Sequence, residues 1–115
     1  MIWRGSRNQG KRTEIFTGVL FNGYAPPEGF CFDEIGDGYC KDPSFTPENL
    51  QKRIKQFVEK TCAQASKYRT NNIMLTMGGD FNYHNAPRWF SNLDILIKNA
   101  NKVSDHLKNI TNLAI

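Results

Sequence analysis

The residues of this chain best suited to chemistry lie where an apolar run breaks into glycine. In Met77-Gly78-Gly79-Asp80-Phe81 a carboxylate follows directly on the end of an apolar segment. Strand ends are rigid and the loops beyond them form clefts, so an acid at this point can lend and reclaim a proton. Gly78 and Gly79 leave room for close approach or positive φ. The competing reading makes Asp80 a cap for the turn or helix that follows. Spacing by itself favours the cap. Tyr24 lies in a loop after an earlier apolar run and would share the same rim. Its hydroxyl suits a hydrogen bond to a substrate or to the carboxylate, and its ring equally suits anchoring a Pro/Gly loop, the reading its position alone prefers.

Other reactive side chains point elsewhere. His84 and His106 belong to different elements and have no Asp, Glu or Cys at ligand spacing, so no metal site is expected within the chain. Cys31, Cys40 and Cys62 fit no zinc-ribbon or zinc-finger spacing. Cys31 and Cys40 flank a Gly/Asp-rich loop, where a disulfide would brace a segment with little core of its own. That pairing favours an oxidising compartment, as does Asn109-Ile110-Thr111, an N-glycosylation acceptor triplet. No phosphate-cradling Gly-rich loop, nucleophile elbow or His-Glu-x-x-His helix is present, which disfavours nucleotide and protease chemistry.

The elements that must position these groups follow from periodicity. Glu14-Ile15-Phe16-Thr17-Gly18-Val19-Leu20 reads as a strand running into the loop Asn22-Gly23-Tyr24-Ala25-Pro26-Pro27-Glu28-Gly29. Thr46-Pro47-Glu48 is a helix start, and Leu50, Ile54, Phe57, Val58 and Cys62 recur at helical spacing up to about residue 67. Lys52, Arg53, Lys55 and Lys60 fall largely on the opposite, polar side. Residues 72 to 77 are nearly all apolar, as in a parallel strand buried on both faces. Trp89, Leu93, Leu96, Ile97, Ala100 and Val103 predict an amphipathic helix over residues 86 to 102, with Trp89 in the core.

The order strand, loop, helix, strand, loop, helix predicts an α/β architecture with parallel strands and outer helices. Two parallel strands make no stable sheet alone, so the chain reads as one partial domain, a few units of a (β/α) barrel. The 115 residues are 39% hydrophobic and 23% charged, too apolar for a disordered tail. The longest apolar runs are far short of the about 20 residues that span a bilayer, and the N-terminus lacks a secretory signal pattern. Fifteen basic against eleven acidic residues are dispersed along the chain, which favours solvation over nucleic-acid binding.

Three stretches carry a resemblance. Residues 14 to 33, including Asn22-Gly23-Tyr24-Ala25-Pro26-Pro27-Glu28-Gly29-Phe30-Cys31-Phe32-Asp33, then Tyr68-Arg69-Thr70-Asn71, then residues 75 to 94, beginning Leu75-Thr76-Met77-Gly78-Gly79-Asp80-Phe81-Asn82-Tyr83-His84, closely resemble lysosomal-type α-mannosidases of glycoside hydrolase family 38. The resemblance covers residues 3 to 98, and residues 99 to 115 form a divergent tail. It implies a retaining, zinc-dependent hydrolase of terminal α-mannose in N-glycan-derived oligosaccharides, housed in the lysosome or secretory pathway. It also implies a seven-stranded α/β barrel of which this chain is an internal stretch. Asp80 falls on the family's general acid/base, usually in Gly-Ser-Asp-Phe or Gly-Asp-Asp-Phe and here in Gly-Gly-Asp-Phe. Tyr24 falls on a substrate-pocket tyrosine, so the resemblance overturns the loop-anchor reading.

The family's His-x-Asp, Asp-Pro-Phe-Gly-His and His-His-Asp motifs, which supply zinc ligands and nucleophile, are missing. Asp42-Pro43-Ser44-Phe45 resembles the second only superficially. One carboxylate cannot carry a double displacement. The chain alone is therefore expected to be inactive and to bind no zinc, its partners being a mannose-containing oligosaccharide and the remainder of a mannosidase chain. The alternative is a non-catalytic relic, a carbohydrate-binding or interaction module.

Overall fold

The computed structural model describes residues 1 to 33, 40 to 69 and 72 to 104. Two short strands, β1 (Ile2–Arg4) and β2 (Glu14–Phe16), precede two helices, α1 (Leu50–Ala65) and α2 (Ala86–Ser104). A 3₁₀ turn at Gly10–Thr13 links the strands. The strands pair antiparallel, with Trp3 opposite Ile15 and an Arg4–Glu14 ion pair beside them. Met1 and Thr17 exchange backbone hydrogen bonds of 2.8 Å beyond the ladder.

The expected strand over residues 14 to 20 is thus confined to Glu14–Phe16, and its partner is the N-terminal segment, which the sequence reading left unassigned. Every residue of both strands is exposed. Residues 72 to 77 run without a ladder, and Met74 within them is exposed. Among the described residues there is one antiparallel pair and no parallel one, so these residues alone do not form the expected barrel units. The physical reason lies in what lies beside residues 72 to 77. Side chains reach the backbone there in place of strands: Gln64 Nε2 donates to the Met74 carbonyl at 3.1 Å, and the Tyr83 hydroxyl donates to the Met77 carbonyl at 2.6 Å.

Both helices appear where periodicity places them. In front of α1 a capping arrangement closes the turn: the Thr46 N–H donates to Asn49 Oδ1 at 2.9 Å, and the Asn49 N–H donates to the Thr46 hydroxyl. The Thr46 hydroxyl, and then its own backbone N–H, hold the exposed Glu48 carboxyl below its ordinary range. Cys62, expected on the apolar face, is an exposed free thiol. Ahead of α2 it is Asn85 that caps, accepting from the Arg88 N–H at 3.3 Å with its side chain.

The core is a wedge between the helices. Phe30, Cys31, Phe32 and Asp33 are all buried, and Phe30 meets Phe57 of α1 edge-on at 5.2 Å. Phe32 meets Trp89 of α2 edge-on at 5.6 Å. Ile54, Leu93, Leu96 and Ala100 complete the buried set, matching the helical stripes read from the sequence.

Arg53 departs from the polar face assigned to it. It is buried, with its guanidinium over the rings of Phe30, Phe32 and Phe45 and its nitrogens donating to the carbonyls of Pro43 and Gly29. Burial draws its pKa down, partly offset by Asp42. The long stem reaches between the two loops and the fork satisfies both carbonyls, something spacing on the helix cannot report.

Candidate active-site loop

Cys31 and Cys40 are joined by a disulfide, as their placement around a loop suggested. Next to it the Cys31 N–H donates to Asp42 Oδ2 at 2.9 Å, and the Asp42 N–H returns to the Cys31 carbonyl at 2.8 Å. The buried wedge and the residues after it are therefore fastened covalently and by hydrogen bonds. Asn82 rests on the bridge, its Nδ2 lying 3.6 Å from Cys40 Sγ.

Asp80 and Tyr24 are brought together. The Tyr24 hydroxyl donates to Asp80 Oδ2 at 3.1 Å, across 56 residues of sequence. Both are exposed, and with Thr76, Met77, Gly78 and Gly79 they line an open hollow of about 440 Å³. The Thr76 hydroxyl donates to the Ala25 carbonyl at 2.6 Å, which ties the Tyr24 loop to the segment leading into Asp80. The Asp80 hydrogen bond, and then its negative charge, push the Tyr24 phenol above its ordinary value of about 10. Asp80 is not the helix cap, since Asn85 takes that place.

Of the two roles open to the glycines, positive φ falls instead on Phe81 (φ 59°) and Tyr83 (φ 65°). A non-glycine residue in this region is uncommon, and two in one loop mark a turn held by its surroundings. Gly78 and Gly79 serve close approach. A Cβ on Gly78 would lie 3.4 Å from the Tyr83 ring, and one on Gly79 would lie 3.0 Å from Asn82 Oδ1.

Sequence reasoning missed the supports of this loop. Asp33 is fully buried, and its Oδ2 accepts from the Tyr83 N–H at 2.7 Å and from Trp89 Nε1 at 2.9 Å. Tyr83 stacks on Trp89 at 4.5 Å, and burial pushes its phenol upward. One signal was available: an acid closing the apolar run Phe30-Cys31-Phe32 is unusual enough to ask what it accepts.

His84 is exposed, while His106 and Asn109 lie outside the described residues. Among the described residues no group of three or more His, Cys, Asp or Glu side chains is placed to hold a metal. The residues described do not fit a zinc ion. Nor, among them, is any helix long and apolar enough to cross a membrane.

The loop sets an acid and a phenol on one open hollow, and the chain that carries it belongs to glycosyl hydrolases family 38, whose N-terminal domain matches residues 1–113. Its relatives are enzymes named for one sugar. It is 43% identical over 108 residues to the lysosomal alpha-mannosidase of Cavia porcellus, covering 88% of this chain. It is 41% identical over 103 residues to the lysosomal alpha-mannosidase of Homo sapiens, covering 87%, and 36% identical over 105 residues to the alpha-mannosidase of Canavalia ensiformis, covering 89%. The chain spans about a tenth of the length of these relatives, between 10% and 11%.

Proposed function

We propose that this chain is a segment of the catalytic barrel of a retaining, zinc-dependent α-mannosidase that removes terminal α-mannose from N-glycan-derived oligosaccharides in the lysosome or secretory pathway. Asp80 is the acid/base. In the first half-reaction its carboxyl protonates the departing glycosidic oxygen while a carboxylate encoded elsewhere bonds to the anomeric carbon. In the second, the Asp80 carboxylate takes a proton from the water that displaces that carboxylate. Tyr24 orients Asp80 and meets the sugar at the mouth of the hollow.

The observation that carries this reading is the 3.1 Å hydrogen bond between Tyr24 and Asp80, the two residues that the resemblance assigns to one pocket. The barrel part of the reading assigns residues 72 to 77, which carry no ladder here, to a strand. In a completed barrel this segment is a strand with neighbours on both sides, and those neighbours belong to the rest of the chain.

The deciding experiment is Asp80→Asn in the full-length mannosidase chain carrying this segment. Hydrolysis of an aryl α-mannoside falls at least a hundredfold, about the lower range for loss of a general acid, with zinc content unchanged. Unchanged hydrolysis defeats the assignment. The 115-residue chain by itself is expected to show neither zinc binding nor hydrolysis.

A further inference from the structure

We propose that Asp33 is a positioning residue that sets the Asp80 carboxylate against Tyr24, acting through the backbone of the loop between residues 77 and 83. The inference rests on Asp80 being the acid/base and extends that reading to a residue buried behind it.

Asp33 is 0% exposed. Taking a carboxylate out of water is costly unless hydrogen bonds replace its hydration, so packing alone gives no reason for an acid at this position. The two hydrogen bonds that its Oδ2 accepts from described residues serve the Asp80 loop. The one from the Tyr83 N–H at 2.7 Å holds the loop where it leaves the left-handed turn. The one from Trp89 Nε1 at 2.9 Å fixes the ring on which Tyr83 stacks at 4.5 Å.

Tyr83 carries the restraint back to the start of the loop. Its hydroxyl donates to the Met77 carbonyl at 2.6 Å, so one residue clamps both ends of the stretch that holds Asp80. Phe81 and Tyr83 sit at φ of 59° and 65°, each a conformation that relaxes unless something holds it. Phe81 is 86% exposed and contributes little packing to that end. The holding therefore falls to the Tyr83 end, where Asp33 is. Asp33 itself lies at the end of the disulfide-braced wedge, a rigid base from which to act.

The test reads the Tyr24–Asp80 pair directly and needs no turnover. The Tyr24 ring signal of the 115-residue chain is followed by NMR as pH rises, in the parent and in Asp80→Asn, Asp33→Ala and Asp33→Asn. In the parent, Tyr24 titrates above about 10, the ordinary phenol value. Asp80→Asn brings it down toward that value. Asp33→Ala does the same although Asp80 is intact, and Asp33→Asn, which keeps an acceptor oxygen, restores most of the parent behaviour. A Tyr24 midpoint in Asp33→Ala equal to the parent's overturns the proposal. Should Asp33→Ala fail to fold, Trp89→Phe decides by the same criterion: it deletes one donor to Asp33, a lowered midpoint supports the proposal, and a parent-like midpoint overturns it. If Asp80→Asn leaves full-length turnover intact, the acid/base reading fails, whereas the Tyr24 titration still decides whether Asp33 sets the pair.

Discussion

The Tyr24 hydroxyl donates to Asp80 Oδ2 at 3.1 Å, joining the loop that follows β2 to the loop that precedes α2. Neither side chain is buried, so the contact owes its persistence to the segments beneath it. The Thr76–Ala25 hydrogen bond on one side and the Asp33–Tyr83 bond on the other are those supports.

In the full-length mannosidase chain, Tyr24→Phe should lower kcat/KM by about tenfold or more. The size follows from losing one hydrogen bond to a charged group, about 1.5–3 kcal/mol. The change is expected to be smaller than for Asp80→Asn because the proposed function has Tyr24 orient the proton donor and not transfer the proton. Steady-state hydrolysis of an aryl α-mannoside by the two variants checks the order.

Alkaline pH should weaken the fold of the chain. The phenols of Tyr24 and Tyr83 are both raised on folding, the first chiefly by the hydrogen bond to Asp80 and the second by burial. A group raised in this way contributes stability that is complete below its unfolded value, about 10, and is lost as pH climbs through the folded value. Urea midpoints measured at about pH 8 and about pH 11 should fall at the higher pH. The fall should be smaller in Tyr83→Phe.

Breaking the Cys31–Cys40 bridge should cost about 2–4 kcal/mol, measured as the change in urea stability between the parent and the double Cys→Ser variant. The bridge joins cysteines nine positions apart and braces the wedge that bears Phe30, Phe32 and Asp33. Cys62→Ser, on an exposed thiol, should stay within about 0.5 kcal/mol of the parent.

Arg53→Ala should destabilise the chain by about 2–6 kcal/mol in the same assay, since each of two part-buried carbonyls left without its donor costs about 1–3 kcal/mol. It strips donors from the Gly29 and Pro43 carbonyls and opens a gap beneath three aromatic rings. Arg53→Lys should recover only part of the loss, because an ammonium lacks the planar fork that serves both carbonyls.

The helices were legible because their information is local. Trp89, Leu93, Leu96 and Ala100 repeat at helical intervals and are buried as a stripe, and the helix-start signature at Thr46 is where the capping bonds form. The resemblance put Asp80 and Tyr24 in one pocket, and they are in contact, while the Cys31–Cys40 pair was legible from its placement around a loop. Arg53 and Cys62 were misplaced because helical spacing ranks faces by side-chain type. It cannot know that rings from a distant loop will cover a guanidinium or that nothing will cover a thiol.

The amino-acid order thus determined the two amphipathic helices and the bridged Cys31–Cys40 pair, features written in spacing of a few residues, and singled out Asp80 and Tyr24 through whole motifs. Tertiary structure alone decided that β2 pairs antiparallel with β1, that residues 72 to 77 carry no ladder, and that Asp33 reaches Tyr83 and Trp89. Those outcomes depend on which groups, dozens of residues apart, come within hydrogen-bonding distance. Backbone donors and buried acids accept whichever partner the packed chain delivers, and no local pattern specifies that partner in advance.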